Sequence, residues 1–306
     1  MESEKDVKTK VSPYYGNVLV GMELDEPDER MMTLLKKLAQ VCEMQHVNFL
    51  HVLPKIERTD PFAMVYDGVS LELDRDKLEQ LVAAIRSRVE KIIAPDTFQS
   101  MNYFTGHGSI LGELVAFADD KQADLVVVGK KKGKLHAIKS KNLVRQVAAD
   151  LLVLPDGASG SLSKICAPID FSKNSVSALK AAVILARKLD AKLYAINVYQ
   201  RPNLMASRLE MSIERFEKNI AANHRDGFQH FMDKHFPDDK DLIQPILVQS
   251  DYPRVSGEIL EQAKKVGADL IVIGATGHSK LARLLLGSTS ERLLDLNEDI
   301  PMMVVK

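Results

Sequence analysis

The sequence predicts an α/β fold built twice: two similar domains in one chain, each a parallel five-stranded sheet with helices on both faces. Three observations carry this expectation. The chain has 306 residues, a length suited to two ordinary domains rather than one core. The run Ala123-Asp124-Leu125-Val126-Val127-Val128-Gly129 recurs 145 residues later as Ala268-Asp269-Leu270-Ile271-Val272-Ile273-Gly274. Within each copy, short β-branched runs alternate with longer segments of helical period, which is the pattern of a parallel sheet buried on both faces.

Taken in order, the elements of the two copies answer one another. Asn17-Val18-Leu19-Val20 is matched by Lys164-Ile165-Cys166-Ala167, and His51-Val52 by Asn197-Val198. The helix after the first strand places Met31, Leu34, Leu38 and Val41 on one face, and its counterpart does the same with Val176, Leu179, Val183 and Ala186. In the second copy the strand runs are Ile165 to Ile169, Leu193 to Val198, Ile246 to Gln249, Leu270 to Ile273 and Met302 to Val305. Pro301 precedes the last of these, and a residue without an N–H is tolerated on an edge strand or at a strand start. Between the copies lies Asp156-Gly157-Ala158-Ser159-Gly160-Ser161, a small and polar stretch expected to bury nothing and to leave the backbone free. The expected boundaries are a first domain over 1–156, a linker over 157–162 and a second domain over 163–306.

Composition excludes several classes of function. Hydrophobic residues make up 45% and charged residues 27%, within the soluble globular range, and no apolar run approaches the roughly 18 residues needed to span a bilayer. The segment Met1 to Lys10 is charged throughout and lacks the apolar stretch of a secretory signal, so the cytoplasm is the expected location. A net charge of −1 supplies no general field for nucleic acid or an anionic membrane. Cys42 and Cys166 have no metal or redox spacing and read as buried apolar side chains.

Open parallel sheets bind ligands beyond the carboxyl ends of their strands, where the strand order reverses. In the second copy the first strand ends Ala167-Pro168-Ile169-Asp170-Phe171-Ser172 and the fourth ends Ile273-Gly274-Ala275-Thr276-Gly277-His278-Ser279. Nine residues after Gly277, Gly287-Ser288-Thr289-Ser290-Glu291 opens a helical pattern. Glycines let a backbone approach an anion closely, and a helix N-terminus offers unpaired N–H groups, so together they form a phosphate cradle. Each part also has an ordinary reading: Ser288 with Glu291 three residues on is a capping box, and Gly274 is a turn. The ordered set points to a ligand.

These residues resemble the universal stress protein family, whose ATP-binding members carry Gly-x2-Gly-x9-Gly-(Ser/Thr), met here by Gly274, Gly277, Gly287 and Ser288. The resemblance extends to the Pro-x-Asp-Phe-Ser ending at Pro168 to Ser172 and covers the chain twice over. It implies sheets in the order 3-2-1-4-5 and a stress-response protein that binds ATP with Mg²⁺ bridging the phosphates. By this analogy Asp170, with Pro168 and Ile169 before it, and the backbone around Val198 meet the adenine end. Gly274, after Ile273, meets the ribose, and Thr276, Gly277, Gly287, Ser288 and Thr289 meet the phosphates. A homodimer is also an expectation of the family.

The first copy departs from this pattern. Its loop reads Gly129-Lys130-Lys131-Lys132-Gly133, no Gly-Ser pair opens the helix near Ser140 to Leu143, Gly21 stands where Pro168 would be, and Glu23 replaces Asp170. The six lysines between Lys130 and Lys141 read as a solvated surface feature. The first domain is therefore expected to be structural or regulatory, and the nucleotide to sit in the second.

Other constellations carry less. His224, His230 and His235 are spaced so that His230 points away from the other two on a helix, against a metal site. Thr105-Gly106-His107-Gly108 reads as a strand-to-helix turn, and His278 either touches the γ-phosphate or faces water. The long segments Glu57 to Leu71 and Gln200 to Met211 hold Phe62, Met64, Leu204, Met205 and Met211, which suit a cover, an interface or an apolar cavity. No general base or nucleophile stands beside the cradle, so a dedicated enzyme is not expected and slow hydrolysis stays open. Adenylyl-transfer motifs and the Gly-x4-Gly-Lys-(Ser/Thr) loop are absent. The alternatives to an ATP-binding regulator are a nucleotide-free interaction scaffold and an apolar-ligand-binding stress protein.

Overall fold

A computed structural model describes residues 14–25, 27–54, 75–131, 140–158, 160–200, 213–250, 254–276 and 286–306. The first half runs β1 (Asn17–Met22), α1 (Pro27–Cys42), β2 (His46–Pro54), α2 (Arg75–Glu90), β3 (Ser100–Gly108), α3 (Ile110–Asp120), β4 (Leu125–Lys130), α4 (Ser140–Gln146) and β5 (Asp150–Pro155). The second repeats the order with β6 (Lys164–Pro168), α5 (Lys173–Leu189), β7 (Lys192–Gln200), α6 (Ile213–His235), β8 (Ile243–Ser250), α7 (Val255–Val266), β9 (Leu270–Gly274), α8 (Ser288–Leu296) and β10 (Met302–Val305).

The strands form one sheet ordered β3-β2-β1-β4-β5-β10-β9-β6-β7-β8. Each half thus has the expected 3-2-1-4-5 order, parallel throughout, and the halves meet where β10 pairs antiparallel with β5. Alternation explains the two-sided burial. Val18 and Val20 face one core layer and Leu19 the other, and Leu125 and Val127 oppose Val126 and Val128 in the same way. The first layer is packed by α1, α2, α5 and α6, the second by α3, α4, α7 and α8, and each layer runs across both halves. Met31, Leu34, Leu38 and Val41 of α1 are all buried, as are Leu179, Val183 and Ala186 of α5, while Val176 is partly buried against them.

The repetition reaches the backbone. Leu24 and Phe171, just after β1 and β6, have φ of 60° and 62°, and Glu43 and Asp190, just after α1 and α5, have φ of 48° and 51°. Gln122 after α3 and Gly267 after α7 also share positive φ. Left-handed conformations are unfavourable for bulky residues such as leucine and phenylalanine. Their recurrence at matched places shows one turn geometry used twice.

Several details differ from the sequence expectations. The stretch between β5 and β6 does not lie free: Ala158 is buried, its N–H donates to Pro155 O at 2.9 Å, and Lys37 Nζ donates to Gly160 O. Of the two places expected to tolerate Pro301, the structure has the strand start and not the edge: Pro301 directly precedes β10, which is flanked by β5 and β9. β8 begins at Ile243 and runs through Pro245, which its edge position tolerates. Of the turn expected at Thr105 to Gly108, all four residues belong to β3, and the turn falls at Gly108 (φ 130°) and Ser109, which caps α3.

Lysines tie the halves together by reaching helix C-termini across the boundary, where carbonyl oxygens lack intrahelical donors. Lys188 Nζ donates to Val41 O of α1 at 2.7 Å, Lys306 Nζ to Val144 O and Val147 O at the end of α4, and Lys130 Nζ to the end of α8. Asp150 adds a further tie, accepting from the Tyr15 hydroxyl at 3.0 Å and from Lys306 N–H at 2.9 Å. Among the described residues no helix is long and apolar enough to cross a membrane.

Candidate functional site

β6 and β9 are neighbours in the sheet, and their chains leave the carboxyl edge in opposite directions, one into α5 and the other toward α8. The gap between them is a cleft of about 270 Å³. It is lined by Pro168, Ile169 and Asp170 from the end of β6, Val198 from β7, Ile273, Gly274 and Thr276 from β9, and Gly287, Ser288 and Thr289 at the start of α8. Every residue of the sequence-derived set except Gly277, which lies outside the described residues together with His278, is therefore on one cleft. Four further residues line it: Ser290, which belongs to the Gly287-to-Glu291 run but was assigned no contact, and Ser175, Val255 and Ile259, which carried no sequence signal.

Local interactions account for the shape of each wall. Ser172 caps α5 by accepting from Ser175 N–H at 3.2 Å, and Asp170 accepts from Ser172 N–H at 3.0 Å, which holds the turn after β6. Gly274 lies against the first turn of α5: a Cβ there would stand 2.9 Å from Asn174 O and 3.1 Å from its carbonyl carbon. Asn174 also donates through Nδ2 to Thr276 Oγ1. Gly274 thus has a packing reason to be glycine, whatever occupies the cleft.

The opposite wall is the start of α8. Its N-cap is Gly287, with no side-chain cap, so the capping-box reading of Ser288 with Glu291 does not hold. Glu291 instead pairs with Arg145 of α4 at 2.7 Å. The first-turn N–H groups of an α-helix have no intrahelical acceptor, and Ser288, Thr289 and Ser290 carry those of α8. Two bonds anchor this end to β9: Gly287 N–H to Ala275 O at 2.8 Å, and the buried Ser290 Oγ to Gly274 O at 2.7 Å. An apolar slot flanked by Ile169, Val198 and Ile259 thus faces a polar end built from helix N–H groups and hydroxyls. Such a site suits a flat ring joined to an anion. Among the described residues no cluster of three His, Cys, Asp or Glu side chains is placed to hold a metal.

The first half is arranged otherwise at its strand ends. Lys131, just after β4, pairs its ammonium with both Glu23 and Asp25 after β1, and only 14% of its side chain is exposed. The space between these strand ends and α1 is about 20 Å³. The lysine-rich stretch is therefore not simply a solvated surface: Lys130, Lys131 and Lys141 are all bonded, and 132–139 lie outside the described residues. Asp28 organises the same turn by accepting from Glu23 N–H at 3.3 Å and Leu24 N–H at 2.7 Å, and burial pushes its carboxyl pKa up.

The histidines do not converge. His224 stacks on Tyr199 with ring centroids 4.1 Å apart, and His235 packs against Phe231. Cys42 and Cys166 are buried thiols that burial pushes up to about 12, which leaves them unreactive. Of the long segments after β2 and β7, Glu57 to Leu71 and residues 201–211 lie outside the described residues; Gln200 ends β7.

Comparison with known proteins bears on this architecture. The model of the universal stress protein family matches residues 161–306. A universal stress protein of Methanocaldococcus jannaschii is 33% identical over 147 residues, covering 47% of this chain and 81% of that protein. Universal stress protein YxiE of Bacillus subtilis is 30% identical over 148 residues, covering 47% of this chain and 99% of its own. The crystal structure of a universal stress protein from Archaeoglobus fulgidus superposes over 97% of this chain and 98% of its own with a TM-score of 0.60 at 16% identity, a likeness of fold. Identity at twice that level over most of a relative's length goes beyond a shared fold, and the chain belongs to the universal stress protein family.

Proposed function

We propose that the chain is a stress-response regulator that binds one ATP in the cleft between β6, β9 and α8, and that the nucleotide modulates the packing of its halves or of partners. The observation that carries this reading is the convergence of an apolar slot, a close backbone approach and an uncapped helix start on one cleft. The adenine would lie toward Ile169, Asp170 and Val198, and the phosphates against Ser288 and Thr289. Magnesium would be held mainly by the phosphate oxygens, because Asp170 is the only carboxylate among the described lining residues. The span 163–306 is then the nucleotide domain, and 1–156 is a degenerate copy whose strand ends are occupied by the Lys131 ion triad. A homodimer would have to use surfaces other than β5 and β10, since each already has a neighbour on both sides within the chain.

Isothermal titration of nucleotide-stripped protein with ATP and Mg²⁺, beside Ser288→Asp, tests the reading. A carboxylate in the first turn favours the helix by about 0.3–1 kcal/mol but repels a triphosphate, so stability and binding should move apart. Near one ATP per wild-type chain is expected, weakened at least about tenfold in a variant that is no less stable. Absence of saturation by folded wild type at millimolar ATP would refute the proposal and leave the nucleotide-free scaffold or the apolar-ligand reading. Equal affinity in the variant would move the phosphates elsewhere.

A further inference from the structure

α8 is the element through which the first half reaches the cleft. At nine residues it is about 14 Å long, short enough to move as one rod. Its first residues line the cleft, and its last turn lies against the first half. There the carbonyl oxygens of Leu294, Asp295 and Asn297 converge on one ammonium, Lys130 Nζ, at 2.5, 3.2 and 2.8 Å. The flank of the helix is held as well: Lys141 reaches Asp295 at 3.0 Å, and Arg145 reaches Glu291 at 2.7 Å. Lys130, Lys141 and Arg145 all come from the first half's β4–α4 region, the counterpart of the second half's β9–α8 loop. With no side-chain cap at Gly287, the cleft end of α8 is held among the described residues by Gly287 N–H on Ala275 O, Ser290 Oγ on Gly274 O and Ser256 Oγ of α7 on Thr289 O at 3.3 Å, none of which comes from the first half.

We propose that Lys130 is a positioning residue for the phosphate end of the cleft: by gathering the C-terminal carbonyls of α8 it sets where the helix N-terminus stands, so that the first half tunes phosphate binding in the second. This rests on the ATP reading above. The linkage is reciprocal, since a ligand that prefers the clamped position of α8 must also strengthen the clamp. The apolar slot is built from β6, β7 and α7, so the base should be insensitive to the same change.

The test compares ATP with adenosine, which lacks the phosphates, on wild type and Lys130→Met, a change that keeps the stem and removes the ammonium. Lys130→Met is expected to weaken ATP about tenfold and adenosine less than twofold, with Lys130→Arg restoring part of the difference. A merely structural role would weaken both ligands alike, and that result overturns the proposal, as does an unchanged ATP affinity. Should Lys130→Met fail to fold, Lys141→Met carries the test on the exposed flank of the same contact. A smaller loss confined to ATP supports the clamp, and an unchanged ratio of ATP to adenosine overturns it. Wild type that binds no ATP removes the ATP reading itself, whereas ATP-binding wild type with an indifferent Lys130→Met removes only the clamp.

Discussion

Gly129 and Gly274 close the repeated run at the ends of β4 and β9, yet alanine should act on them in opposite ways. At Gly274 the new methyl would stand 2.9 Å from Asn174 O and 3.1 Å from its carbonyl carbon. Ordinary carbon–oxygen contact begins near 3.4 Å, so about half an ångström must be found. The obstacle is backbone in the first turn of α5, which cannot rotate aside like a side-chain tip, so helix and strand must separate. Overpacking of this kind costs about 1–3 kcal/mol, and a backbone obstacle places Gly274→Ala in the upper part of that range. At Gly129 no described atom lies within 4 Å of the same methyl, and φ is not positive. Gly129→Ala should be neutral or stabilising by about 0.4–1 kcal/mol, because alanine restricts the unfolded chain. Equilibrium denaturation of the two variants side by side reads the difference. Gly274→Ala within about 0.5 kcal/mol of wild type, or equal losses at both sites, would refute the reasoning. Gly274→Ala is for the same reason a poor probe of nucleotide binding, because it disturbs the fold before it meets a ligand.

Two further variants test interactions away from the cleft. Burial alone pushes the Lys131 ammonium down, but its hydrogen bonds to Asp25 and Glu23 outweigh this and hold it up at about 12. That stabilisation is complete below the free-lysine value of 10.5 and is lost as pH climbs through 12. Lys131→Met should lose about 1–3 kcal/mol at pH 7, with the gap to wild type closing above pH 10.5 in denaturation curves. A variant as stable as wild type at neutral pH would show the triad to be worth no more than a surface pair. Burial pushes the His224 pKa down from 6.5, so the unfolded chain takes up the proton first and stability falls as pH drops below that value. His224→Phe keeps the stack on Tyr199 and should flatten the decline between pH 7 and 5; an unchanged slope would show that His224 does not contribute to it.

Much of the fold was legible because its signals are local. The β-branched runs at Leu125 to Val128 and Leu270 to Ile273 bury alternate side chains in two layers, and a strand covered on both faces needs apolar residues at every position. The cleft was legible because strand ends and glycine spacing are matters of position along the chain, and nearly all the residues so chosen line one space. Less legible was the start of α8, where Ser288 has the chemistry of a cap and Gly287 holds the place. Nothing in composition separates the two, since the cap is decided by where the backbone leaves helical geometry.

By itself, then, the sequence determined two copies of an α/β unit, the strand order implied by its family resemblance, and which copy keeps a phosphate-binding pattern. Tertiary structure alone decided that β5 meets β10 antiparallel, because an apolar edge such as Leu151 to Leu154 specifies burial without naming its neighbour. It also decided the partners of the lysines. An ammonium can be solvated by water or by the free carbonyls of a helix C-terminus, and only the packing of β4 against the far end of α8 puts Lys130 on those carbonyls rather than at the surface.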